Sequence, residues 1–216
     1  RVRAYLAQGA PRVAVVELDH LRQLHPQSII VLKMLGKALL QTAQWERALD
    51  VFSQAQSKSP DDAGVVQGIA SVYFGMGDVD RAMSQLELAL AIDSTFASAH
   101  AGRGSILMQR RQLPQAALAF QTAARFEPGE ASHLVQLGMV QCDLKQWAKG
   151  RASFMSAVAI DSNLYEAYLG LAVAQRNMGN LRAAEQALLR GGALKPESET
   201  VKTLLQSVRR QRPDSN

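Results

Sequence analysis

One period constrains this chain more than any other feature. The pattern of small and large residues between Ile29 and Asp62 returns every 34 positions four more times. With Ile29 as position 1, position 8 reads Gly36, Ala70, Gly104, Gly138, Ala172, and position 20 reads Ala48, Ala82, Ala116, Gly150, Ala184. Position 24 is always large (Phe52, Leu86, Phe120, Phe154, Leu188) and position 27 always small (Ala55, Ala89, Ala123, Ala157, Gly191). A repeat of this length is one supersecondary unit that buries its apolar face only by stacking on its neighbours.

Each unit reads as a helix A over about positions 1–14, a short turn, and a helix B over about positions 17–30. Gly or Ala at positions 8 and 20 lets the two axes approach, so that the large residues at positions 4, 7, 11 and 24 interlock around the crossing. Position 32 alternates Pro60, Ser94, Pro128, Ser162, Pro196, and a proline there stops helix B because it lacks a donor and clashes with the preceding turn. Trp45, Val79, Leu113, Trp147 and Leu181 start the B helices, Pro114 fits a first helical turn, and Asp78 and Asn180 are expected N-caps. Val201, Leu204, Leu205 and Val208 recur at helical spacing near the end, which predicts one more amphipathic helix.

These columns resemble the tetratricopeptide repeat, over five units covering residues 29–198. The resemblance implies an all-α fold, a right-handed superhelical array of antiparallel helix pairs with a C-terminal capping helix. The expected organisation is a truncated first repeat over 1–28, full repeats over 29–62, 63–96, 97–130, 131–164 and 165–198, a capping helix over 199–211 and a disordered tail over 212–216. Counting back, Tyr5, Ala14, Leu18 and Pro26 match the pattern, so the chain is expected to begin in mid-helix as a fragment of a longer protein. His100 and Arg103 in the third repeat, and Gln141 and Gln175 in the next two, depart from the apolar or aromatic residues expected at their positions.

Apolar content of 47% without a long apolar run predicts a large core and no membrane span. The net charge of +5 sits at the ends: Arg1, Arg3 and Arg12 at the start, Arg209, Arg210 and Arg212 against Asp214 at the finish. The interior from Val13 to Val208 is balanced, with no basic stripe, so no nucleic-acid partner is expected. Cys142 is the single cysteine, which excludes an intrachain disulfide and leaves cytoplasm and periplasm both open, the more so with an N-terminal targeting region expected to be missing. His20, His25, His100 and His133 form no ligand set with one another or with carboxylates, and no strand precedes the Gly75-Met76-Gly77 turn. No catalytic residue, metal or cofactor is expected, and the chain reads as non-enzymatic.

In proteins of the resembled family the A helices line a concave groove that takes a peptide. Carried over by position, the groove comprises Lys33 and Lys37 in the first full repeat, Gln67, Gly68, Ser71 and Phe74 in the second, and Ala101, Gly102, Ser105 and Met108 in the third. Val135, Met139 and Cys142 follow in the fourth, and Leu169, Val173 and Arg176 in the fifth. Its middle is small and apolar, with charge towards the ends, which suits an apolar or amphipathic segment with methionine as an adaptable contact. Gly68, Gly102 and Gly170 all stand at position 6, in mid-helix, where glycine costs about 1 kcal/mol against alanine. Either a close-lying ligand or closer packing of neighbouring A helices accounts for them. The Lys/Asn carboxylate clamp and the asparagine ladder of other family members are not matched. The resemblance implies a protein or peptide partner and an adaptor that assembles or localises a complex. The alternatives are a regulatory or substrate-recruiting domain of a larger enzyme, for example a glycosyltransferase, and a scaffold that self-associates into a homo-oligomer through its repeat ends.

Overall fold

The computed structural model describes residues 10–211. The helix end expected before residue 10, with Tyr5, and the tail over 212–216 lie outside the described residues. Among the described residues the secondary structure is twelve α-helices and no strand. In chain order they are α1 (Pro11–Leu24), α2 (Ile29–Gln41), α3 (Trp45–Lys58), α4 (Ala63–Gly75), α5 (Val79–Ile92) and α6 (Ala97–Gln109). Then come α7 (Leu113–Phe126), α8 (Ala131–Asp143), α9 (Trp147–Ile160), α10 (Tyr165–Asn177), α11 (Leu181–Leu194) and α12 (Glu199–Gln211). From α2 onwards every A helix occupies positions 1–13 and every B helix positions 17–30. The chain divides into two compact units, Arg1–Ile106 and Leu107–Asn216, and the division falls inside α6.

The turns are set by one backbone position. Position 15 is left-handed in all five repeats, at Ala43 (φ 55°), Gly77 (84°), Arg111 (59°), Lys145 (58°) and Gly179 (80°). The residue after it donates its amide back to position 11, as in Gln44 N to Leu39 O at 3.0 Å and Asp78 N to Tyr73 O at 2.8 Å. This bond closes a Schellman cap that satisfies carbonyls the helix end leaves open. A Cβ costs about 1–2 kcal/mol in this conformation, so Gly77→Ala lowers stability by about 1 kcal/mol. Urea unfolding measures the loss.

Helix starts are capped in several ways. Ser28, Asp62, Asp78 and Ser198 accept from the amides three residues on, at 3.1–3.4 Å. Asn180 does not cap α11 as expected. Its amide instead donates to Gln175 Oε1 at 3.0 Å, so the side chain serves a polar residue that stands in an apolar column. Gln141, the equivalent departure one repeat earlier, likewise accepts from Ser153 Oγ at 2.7 Å. His100 is buried, with Nε2 2.9 Å from Ser94 O.

In the first unit, Leu32, Leu35, Leu39, Ala48, Phe52 and Ala55 are fully buried in one cluster, and Ala70, Ala82, Leu86 and Ala89 form a second. In the second unit Phe154 and Ala157 centre one cluster, and Ala172, Ala184 and Leu188 another, which Val201 and Val208 of α12 complete. Two of the position-24 residues, Phe52 and Phe154, fit between a glycine of their own repeat and one of the next. The Phe52 ring lies where a Cβ on Gly36 or on Gly68 would sit, 2.5 and 2.4 Å from the ring atoms. Phe154 stands in the same way between Gly138 (2.8 Å) and Gly170 (2.3 Å). The glycines at position 6 therefore seat the B-helix residue of the preceding repeat. That is a third reason, beside the two expected from the sequence.

Candidate functional site

Among the described residues, cavities open where consecutive A helices meet, and three bear on function, two in the first unit and one in the second. The first, about 550 Å³, has charged walls: Lys33, Lys37, Asp61, Asp62, Gln67 and Asp93 contribute polar groups beside Ile92 and Phe96. The second, about 170 Å³, is lined by Gln67, Ala70, Ser71 and Phe74 of α4, Leu86 of α5, and Gly102, Ser105 and Ile106 of α6. The third, about 270 Å³, is lined by Met139, Cys142 and Asp143 of α8, Phe154 of α9, and Glu166, Leu169, Gly170 and Val173 of α10.

The second and third are the same site two repeats apart. Adding 68 to Ser71, Phe74, Leu86, Gly102 and Ser105 gives Met139, Cys142, Phe154, Gly170 and Val173. The cause is local. Glycine at position 6 leaves no side chain in the cleft between successive A helices, so the position-24 residue beneath becomes the cavity floor. A Cβ on Gly102 would come within 2.9 Å of Leu86 Cδ2.

The sequence-derived groove residues divide accordingly. Lys33, Lys37 and Gln67 line the first cavity, and Gln67, Ser71, Phe74, Gly102 and Ser105 the second. Met139, Cys142, Leu169 and Val173 line the third. Ala101, Met108 and Arg176 line none of the three, and Gly68 and Val135 are buried. Gly68 is covered by Phe52, and Val135 packs with Ala131, Phe154, Ala157 and Ala167. The floors, Leu86 and Phe154, escaped the sequence reading because position 24 reads as a core column. The aspartates of the first cavity escaped it because they stand in loops between repeats.

The lysines are not equivalent. Lys33 Nζ donates to both Asp62 oxygens, at 2.9 and 2.8 Å, while Lys37 is exposed. Burial pushes the Asp62 carboxyl up, but the bond and charge from Lys33 with the amides of Val65 and Gly64 outweigh it and hold the group below its ordinary range. Gln67 Nε2 donates to Ser71 Oγ at 2.8 Å on the wall of the second cavity. In the third, burial and then the neighbouring Asp143 carboxylate push the Cys142 thiol up to about 11. About one thiol in a thousand is then ionised at pH 8. Alkylation of Cys142 by iodoacetamide therefore rises about tenfold per pH unit from pH 8 towards 11. Asp143→Asn, which removes one of the two causes, speeds the reaction at pH 8.

No three His, Cys, Asp or Glu side chains among the described residues come together as a metal site. His133 is buried and contacts Glu127 Oε2 at 3.4 Å, a structural pairing away from the cavities. No helix among the described residues is long and apolar enough to cross a membrane.

A family model for the tetratricopeptide repeat matches residues 5–71 and 43–106. Protein bimA of Emericella nidulans is 24% identical over 169 residues, 78% of this chain and 21% of that protein. DnaJ homolog subfamily C member 3 of Mus musculus is 30% identical over 96 residues, 44% of this chain and 19% of its own length. The chain thus spans about a fifth of the length of the curated relatives it matches. Among solved structures, PilW, a widely conserved type IV pilus biogenesis factor, superposes with a TM-score of 0.75 at 18% identity over 94% of each chain. A thermophilic repeat protein of Thermus thermophilus gives 0.67 at 21% identity, over 84% of this chain and 98% of its own. YrrB, described as having an unusual peptide-binding site, gives 0.64 at 17%, over 88% and 97%. These likenesses are of fold, and they agree with the 34-residue period, the paired helices and the family match. Residues 5–106 thus match the tetratricopeptide repeat, and the described residues form an all-α solenoid of paired helices with that repeat's 34-residue period.

Proposed function

We propose that this chain is a non-enzymatic adaptor that holds an apolar or amphipathic segment of a partner protein against its A helices, and so assembles or localises a complex. The observation that carries the reading is the pair of mainly apolar cavities in identical register, one in each unit, with Phe74 and Met139 at their rims and both side chains substantially exposed. An apolar side chain of the partner gains burial in such a preformed cavity at little cost in rearrangement. The description of YrrB as a protein of the same fold with a peptide-binding site supports the choice of ligand class.

The test is capture of a partner from lysate of the source cell by the chain and by three variants. Gly102→Leu is unsuitable, because its side chain would collide with Leu86 and disturb the core. Phe74→Glu and Met139→Glu alter exposed rims instead, and Leu118→Glu, on the 61% exposed Leu118 of α7, is the control. Each rim variant is expected to weaken a groove partner by about tenfold or more, and the control to leave it unchanged. Equal capture by all three variants contradicts the reading. A second reading is that the chain is the recruiting domain of a larger enzyme. A catalytic motif in contiguous sequence distinguishes it.

A further inference from the structure

The third cavity differs from its counterpart in one respect that bears on what it selects. Two carboxylates stand at its rim, Asp143 and Glu166. The equivalent positions in the first unit, 68 residues earlier, are Gly75 and Ser98, both neutral. Asp143 is exposed at the end of α8 and makes no ion pair among the described residues, while Glu166, 60% exposed, has only a 3.3 Å contact with Lys195. Lys195 in turn lies over the Tyr165 ring, 4.4 Å from its centroid. Arg176, one turn beyond Val173 on α10, does not line the cavity. The interior of this site is otherwise apolar, built from Met139, Leu169, Val173 and the Phe154 ring.

An apolar floor beneath two carboxylates complements a particular kind of segment. An aliphatic side chain fills the interior, and a cationic neighbour meets the rim, where the charges are exposed enough to act on selection and encounter rate. We propose that the second unit selects a partner segment in which a large aliphatic residue is flanked by Lys or Arg. The first unit's equivalent cavity, with no carboxylate in its lining, takes an apolar residue without regard to flanking charge. This inference rests on the peptide-binding reading above and adds the class of sequence bound.

Three fluorescent ten-residue peptides with the same leucine spacing test it, their flanking residues being arginine, glutamine or glutamate. Binding to the whole chain is read by anisotropy at 150 mM salt. Occupancy of the cavity is read independently by protection of Cys142, the sole cysteine, from alkylation at pH 9. The arginine peptide is expected to bind about tenfold tighter than the glutamine peptide, the glutamate peptide weaker still, and bound peptide to slow Cys142 alkylation. Asp143→Asn with Glu166→Gln, at two exposed positions, is expected to bring the three affinities within about twofold of one another. Each variant's protection is compared with its own unbound rate. Equal affinities with Cys142 protected overturn the charge selection and leave the groove reading standing. A preference for arginine that survives in the double variant overturns the selection as well. Absence of binding, or binding that leaves Cys142 unprotected, overturns both.

Discussion

Replacing Phe154 with alanine lowers stability by about 3–5 kcal/mol, the range for emptying a fully buried aromatic site. Phe154 is 1% exposed and is held on two sides by backbone, because Gly138 of its own repeat and Gly170 of the next carry no Cβ. A ring packed this closely leaves a cavity that neighbouring side chains cannot easily fill, which places the expected loss in the upper half of the range. Each repeat contacts only its neighbours in such arrays, so the damage spreads through two interfaces. Chemical denaturation followed by far-ultraviolet circular dichroism gives the value. A loss under about 1 kcal/mol would show that the ring is not the keystone of this pair of repeats.

The second large effect comes from the opposite side of the same contact. Gly170→Leu inserts a side chain whose first carbon would already lie 2.3 Å from Phe154 Cζ, and overpacking of this kind costs about 1–3 kcal/mol. In a Phe154→Ala background the same leucine enters vacated space, so its cost falls and can change sign. The double-mutant cycle therefore shows favourable coupling of about 1 kcal/mol or more, whereas residues that do not touch show additivity. Gly68 and Phe52 provide the same cycle in the first unit, where the corresponding distance is 2.4 Å.

Much of this fold is legible from columns. Gly or Ala at positions 8 and 20, and a large residue at position 24, fix which faces meet within a repeat, and the helices begin and end where the period places them. The contact between position 24 and position 6 of the next repeat is harder to see, because it joins residues 16 apart on different helices and follows no helical spacing. Its trace lies in the pairing of residue types: Phe52 with Gly68 and Phe154 with Gly170. Val135 shows the complementary error. A position that lines a cavity in one repeat, as Gln67 and Leu169 do, is covered in another, depending on the bulk of its neighbours. The Lys33–Asp62 pair links an A helix to the loop before the next, a connection that no residue pattern within one helix announces. The left-handed residue at position 15 is visible where it is Gly77 or Gly179 and hidden where it is Ala43, Arg111 or Lys145.

Site-specific photo-crosslinking tests the central claim most directly. A benzophenone amino acid replaces Phe74 or Met139 at the cavity rims, or Leu118 on α7, and the chain is irradiated with its captured partner. The account predicts crosslinks to the partner from positions 74 and 139, and none from 118. Crosslinks from 118 with none from either rim would contradict it, and would move the binding surface to the B helices.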